Sequence, residues 1–108
     1  MTWFSAMLRF TITVGSALPH QGSRSVVLIR ADDIDDARAA ARRLGKGMEE
    51  TYRNIDGELV TWRFQAVETV DELGEQLESG REVYSEPISL DQVDRWADDG
   101  SPPGSTGV

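Results

Sequence analysis

The chain contains no cysteine. That excludes a disulfide scaffold, a thiol nucleophile and any cysteine-bound zinc or iron–sulfur centre. The absence suits a reducing compartment, and we expect a cytoplasmic protein. Histidine is almost as scarce. His20 is the single example, in a loop beside Pro19 with no cysteine, histidine or acid as a local partner. A dyad or a metal site would have to recruit partners across the fold, so His20 reads as an exposed loop residue. There is also no long apolar run. The N-terminal stretch MTWFSAMLRFTITV has no basic start, is interrupted by Arg9 and is too short to span a bilayer. No G-x-S-x-G nucleophile elbow is present, and GKG at 45–47 lacks the glycine spacing and the Ser/Thr of a phosphate loop.

Acids are missing from one end. Residues 1–30 hold Arg9, Arg24 and Arg30 and no carboxylate, whereas residues 68–99 hold eleven acids against Arg81 and Arg95. The net charge is −8, a field that repels nucleic-acid phosphates and anionic membranes and attracts a basic partner. Neither nucleic acid nor membrane is therefore expected as a partner. Solubility alone also accounts for a charge of this size.

What is present describes one domain. At 108 residues, with 39% hydrophobic and 28% charged residues, the chain can bury one modest core. Trp3 to Val14 reads as a half-buried strand, because Phe4, Ala6, Leu8, Phe10, Ile12 and Val14 alternate with Trp3, Ser5, Met7, Arg9, Thr11 and Thr13. After a loop rich in Gly, Pro and Ser, SVVLIR at 25–30 is almost wholly apolar and reads as a central strand. A helix is expected over 34–44, with Ile34, Ala37, Ala41 and Leu44 as its apolar stripe and Gly45 and Gly47 as its stop. Asp56-Gly57 between two β-prone runs predicts a hairpin with a type I′ turn. Beyond it Val60, Trp62, Phe64 and Ala66 share one face. Thr69 and Glu72 match a capping box, and Val70, Leu73 and Leu77 form a narrow stripe, so a second helix is expected from Thr69 to Gly80. REVYSEP reads as a further strand. Ser89 with Gln92 is another capping box, opening a short helix with Leu90, Val93 and Trp96 on one side.

The expected fold is thus α+β, with an antiparallel sheet of about five strands in the order β-β-α-β-β-α-β. Helices lie mainly on one face, and a short C-terminal helix follows. Residues 1–97 form the single domain and 98–108 a flexible tail.

Asp32, Asp33, Asp35 and Asp36 crowd five positions. They lack the alternating oxygens and sixth-position glycine of an EF-hand loop. Asp32 and Asp36, four apart, leave a two-carboxylate magnesium site conceivable. The stronger reading makes Asp32 or Asp33 the helix cap, the others favoured by the N-terminal dipole, with Arg42, Arg43 and Lys46 at the opposite end. No metal and no cofactor is called for. Trp3, Tyr52, Trp62, Tyr84 and Trp96 are a heavy aromatic load for this length. Trp3 and Met7 fall opposite the apolar face of their strand. They form either an exposed contact surface or a face covered by the terminal helix with Trp96.

These stretches together resemble a family of small bacterial proteins catalogued as a domain of unknown function. The resemblance rests on the W-[FY]-x-A strand at Trp3, Phe4 and Ala6, the Y-x-N-x-x-G hairpin at Tyr52, Asn54, Gly57 and Trp62, and the closing strand at Gly80, Glu82, Val83, Tyr84 and Ser85. It implies a small α+β fold and carries over no activity. With no reactive constellation present, the leading expectation is a non-enzymatic interaction or regulatory module that self-associates through a sheet face or edge, its partner being a protein or a second copy of the chain. Candidate binding residues are Trp3, Met7, Tyr52, Asn54, Arg63 and Tyr84. Thr69 and Ser89 join Asp32 and Asp33 as candidate caps. Two alternatives stand beside it. One is an immunity or antitoxin-like protein masking a basic partner with segment 68–99. The other is a small cofactor-independent enzyme or subunit with a sheet–helix pocket built from Tyr52, Asn54, Arg63, Tyr84 and His20.

Overall fold

In a computed structural model that describes residues 1–16, 19 and 21–93, strand β1 (Thr2–Val14) is the axis of the fold. It pairs antiparallel on one side with β2 (Gln21–Ala31) and on the other with β4 (Leu59–Gly74). A short strand, β3 (Glu50–Arg53), closes the far edge, giving the order β2-β1-β4-β3. Helix α1 (Ile34–Gly47) connects β2 to β3 and packs on one face of the sheet. The mixed sheet-and-helix class agrees with the sequence, and the described sheet has four strands rather than five.

The core forms where the alternation of β1 demands it. Phe4, Ala6, Leu8 and Phe10 meet Ile29 and Ala31 of β2 and Ala37 and Ala41 of α1, with Val67, Val70, Phe64 and Trp62 packed around them. The rings of Trp62 and Phe64 both stand edge-on to Phe10, at 6.0 and 5.9 Å between centroids. Full burial of a side chain the size of Leu8 or Phe10 stabilises by about 1.5–3 kcal/mol.

The buried line of α1 is Ala37, Ala41 and Gly45, four residues apart. Ile34 and Leu44, expected on the apolar stripe, are exposed instead. The reason is proximity: small residues on the contact line let the helix lie close to the rings below. Gly45 therefore does not stop the helix, which continues to Gly47 with Met48 as its cap. A Cβ on Gly45 would come within 2.4 Å of the Phe64 ring. At the other end Asp33, in extended conformation, accepts the Asp36 N–H on Oδ1 at 2.8 Å, with Asp35 and Asp36 in the first turn. Asp33 is thus the cap, and Asp32 precedes it.

The β3–β4 connection is a hairpin, but not of type I′. That turn needs positive φ at both central residues, and among the described residues only glycines have it, Gly57 at 79° included. Asn54 organises the loop instead. Its backbone accepts from Gly57 N at 3.0 Å, and its Oδ1 accepts from Asp56 N at 3.0 Å and Glu58 N at 2.9 Å.

The largest departure from expectation is at 69–80. β4 runs through Thr69 to Gly74, with no helix there. Its pairing with β1 skips one β4 residue at three places, Gln65, Glu68 and Leu73. A bulge adds a residue to one strand, so Val67 and Val70 both reach the helix face although three apart. That spacing imitates a helix. Thr69 sits opposite Met7 and caps nothing. Gly80 (φ 84°) lies in a turn in which Arg81 N donates to Glu78 O. Residues 81–87, read above as a strand, make no ladder and with 88–89 form a strap. Ser89 and Gln92 do make reciprocal capping bonds, at 3.1 and 3.4 Å, on a helical turn over 90–93. His20, Trp96 and the tail at 98–108 lie outside the described residues.

Gly45→Ala is expected to destabilise by roughly 1–3 kcal/mol through overpacking against Phe64. Gly47→Ala, with open space around its Cβ, should stabilise by about 0.4–1 kcal/mol. Urea denaturation of the two variants checks both signs.

Candidate interaction surface

The face of the sheet away from α1 carries the alternate residues of each strand. β1 contributes Trp3, Ser5, Met7 and Arg9, and β2 contributes Leu28, Val26 and Arg24 directly across from the last three, with Arg30 across from Trp3. Because β1 is central, Ser5 and Met7 on its far face are buried, while Arg9 is exposed. Met7, expected on a face either exposed or covered by the terminal helix, is only 6% accessible between Val26 and Thr69. Ser5 is 1% accessible, and its hydroxyl donates to the Val83 carbonyl of the strap. The strap thus supplies cover at this point of the sheet. Trp3 is half-buried, with the Arg30 guanidinium 5.6 Å from its ring centroid.

Arg9 and Arg24 face each other across the β1–β2 ladder, a pairing of like charges that destabilises a sheet. The β4 bulge offsets it. Glu68, the extra residue, accepts from Arg9 Nη1 at 3.1 Å on one carboxylate oxygen and from Arg24 Nε at 2.9 Å on the other. Tyr84 of the strap borders this triad. Its hydroxyl donates to Glu86 Oε2 at 3.0 Å. That bond holds the phenol pKa above its ordinary value, with desolvation adding to the shift and nearby Arg24 opposing it.

β2 also departs from the sequence reading. It was expected to be central and is an edge strand. Val27 and Ile29 point into the core, while Val26 and Leu28 stand 44% and 49% accessible on the far face. Among the described residues, no backbone group outside β1 bonds to β2. Sequence reasoning named neither Val26 nor Leu28. Their signal was the unbroken run Val26-Val27-Leu28-Ile29, which is longer than a one-sided strand requires.

The named candidate residues divide among separate places. Tyr52 lies at the edge hairpin on the α1 side, where its hydroxyl accepts from Trp62 Nε1 at 3.4 Å. Asn54 is spent on its own turn. Arg63 is exposed on the far face opposite Thr11. Tyr84 is on the strap. The pocket expected from Tyr52, Asn54, Arg63 and Tyr84 is not assembled, since Tyr52 and Arg63 occupy opposite faces of the sheet. A hollow of about 320 Å³ beneath the strap is lined by Asp71, Leu73, Arg81, Val83 and Tyr84 among others. In segment 68–99, Glu68 is occupied by two arginines, while Asp71, Glu72, Glu75, Glu78, Glu82 and Glu86 are exposed. Among the described residues no group of three His, Asp or Glu side chains could hold a metal ion, and no helix is long and apolar enough to cross a membrane.

A family model described as a domain of unknown function, DUF4288, matches residues 3–85. No curated protein matches the chain, and no solved structure does. The match starts in β1 and ends on the strap, spanning α1 and the four-stranded sheet.

Glu68→Ala should cost about 1 kcal/mol in low salt by leaving Arg9 and Arg24 opposed. The deficit should shrink in molar salt, where the pairing contributes less. Thermal denaturation at the two salt levels checks this.

Proposed function

Given that the chain belongs to the DUF4288 family, we propose that it is a non-enzymatic protein-interaction module that self-associates, with β2 as the surface it uses. The observation that carries this reading is the mismatch at β2: a strand with the composition of a sheet centre occupies a sheet edge. Its outer row of N–H and C=O groups is open for pairing among the described residues. An exposed edge of this kind is a ready template for another strand. Val26 and Leu28 add exposed apolar surface beside that edge. Their full burial would contribute about 1.5–3 kcal/mol each.

The opposite edge makes a useful contrast. There β3 covers only Leu59–Trp62 of β4 with four residues, two of them charged, and the rest of the β4 edge is interrupted by three bulges; short charged strands and bulges are how sheets discourage pairing. The module therefore has one blunted edge and one receptive edge, a combination that favours a closed dimer over an open array.

Light scattering of the intact chain should give a particle of twice the 12.0 kDa chain mass. Replacing Val26 and Leu28 together by Ser should leave a monomer whose circular dichroism matches that of the parent. A parent chain that is monomeric at high micromolar concentration overturns the reading.

A further inference from the structure

We infer that two copies join β2 to β2 in an antiparallel ladder centred on Val26, making one eight-stranded sheet with both helices on the same face. This rests on the self-association just proposed and adds its register.

Edge-to-edge antiparallel pairing of identical strands places a two-fold axis perpendicular to the sheet. Residues opposite each other must then point to the same face, so the axis passes through a residue rather than between two. β2 spans Gln21–Ala31, and its midpoint is Val26. Centring there pairs the whole strand, with Gln21 against Ala31 and Gly22 against Arg30. Val26 meets its own counterpart. Leu28 lies opposite Arg24 of the second copy. That guanidinium is held back by Glu68, leaving its alkyl stem to pack over Leu28.

The neighbouring registers are worse. Centring on Val27 shortens the ladder and sets Arg24 opposite Arg30 twice, a repulsive pairing. Centring on Ser25 also shortens it and leaves Leu28 opposite Gly22, which offers no side chain. Centring on Leu28 shortens it further and sets Val26 against Arg30. Length, charge and apolar contact all select Val26.

Two single substitutions separate this register from a general apolar contact. Val26→Glu sets carboxylate against carboxylate, so the dimer dissociation constant should rise by about tenfold or more, equivalent to about 1.4 kcal/mol. Leu28→Glu sets its carboxylate against Arg24 of the second copy, so the constant should stay within about threefold of the parent, under about 0.7 kcal/mol. Sedimentation at several concentrations reads both, and matching circular dichroism melts show that each variant folds. Oxidation of Val26→Cys gives a third reading, because the chain has no other cysteine. A disulfide-joined dimer is expected from Cα atoms about 4.5–5.5 Å apart. A monomeric parent overturns self-association and this register together. A dimeric parent weakened equally by Val26→Glu and Leu28→Glu, or one whose Val26→Cys variant stays unjoined, overturns the register and leaves self-association standing.

Discussion

The β1–β4 ladder is the interaction on which the rest of the structure depends. β1 supplies Phe4, Ala6, Leu8 and Phe10 to the core and buries Ser5 and Met7 on its other face. β4 must follow it over twelve paired positions using fifteen residues, and does so with three bulges. Each bulge redirects side chains. The one at Glu68 brings a carboxylate between two opposed arginines. The shift it causes also carries both Val67 and Val70 to the core. Without that offset, either the apolar residues of β4 or the charge balance of the far face would be lost.

Sequence pattern revealed the parts of the fold governed by local rules. β1 was legible because its alternation is uninterrupted. The start of α1 was legible because Asp33 and the acids after it satisfy N–H groups and the dipole together. Asp56 and Gly57 marked the hairpin, though not its turn type. The long-range features stayed hidden. Bulges in β4 turned a period of two into a spacing of three, so Val70, Leu73 and Leu77 resembled a helical stripe. Gly45 looked like a helix stop because its real partner, Phe64, is distant in sequence. The strap looked like a strand because Val83 and Tyr84 are β-prone, yet the Ser5 hydroxyl, not a ladder, ties it to the sheet.

The candidate surface was concealed for a different reason. An apolar run such as Val26-Val27-Leu28-Ile29 signals burial on both faces, and the natural inference is a central strand. The single chain places it at an edge instead. The inference and the structure agree if the sheet continues into a second copy, where β2 becomes central. On this account the composition of β2 describes the assembly rather than the protomer. Tyr52, Asn54 and Arg63 do not converge, because they lie at the hairpin and on the far face.

The central claim is that the outer edge of β2 is paired in solution. Amide hydrogen exchange of the native chain, resolved by residue, tests it most directly. β1 protects one alternate set of β2 amides in any oligomeric state. The account predicts that the other set, facing away from β1, is also protected at high concentration and becomes fast on dilution. Rapid exchange of that outward set at every concentration would contradict it.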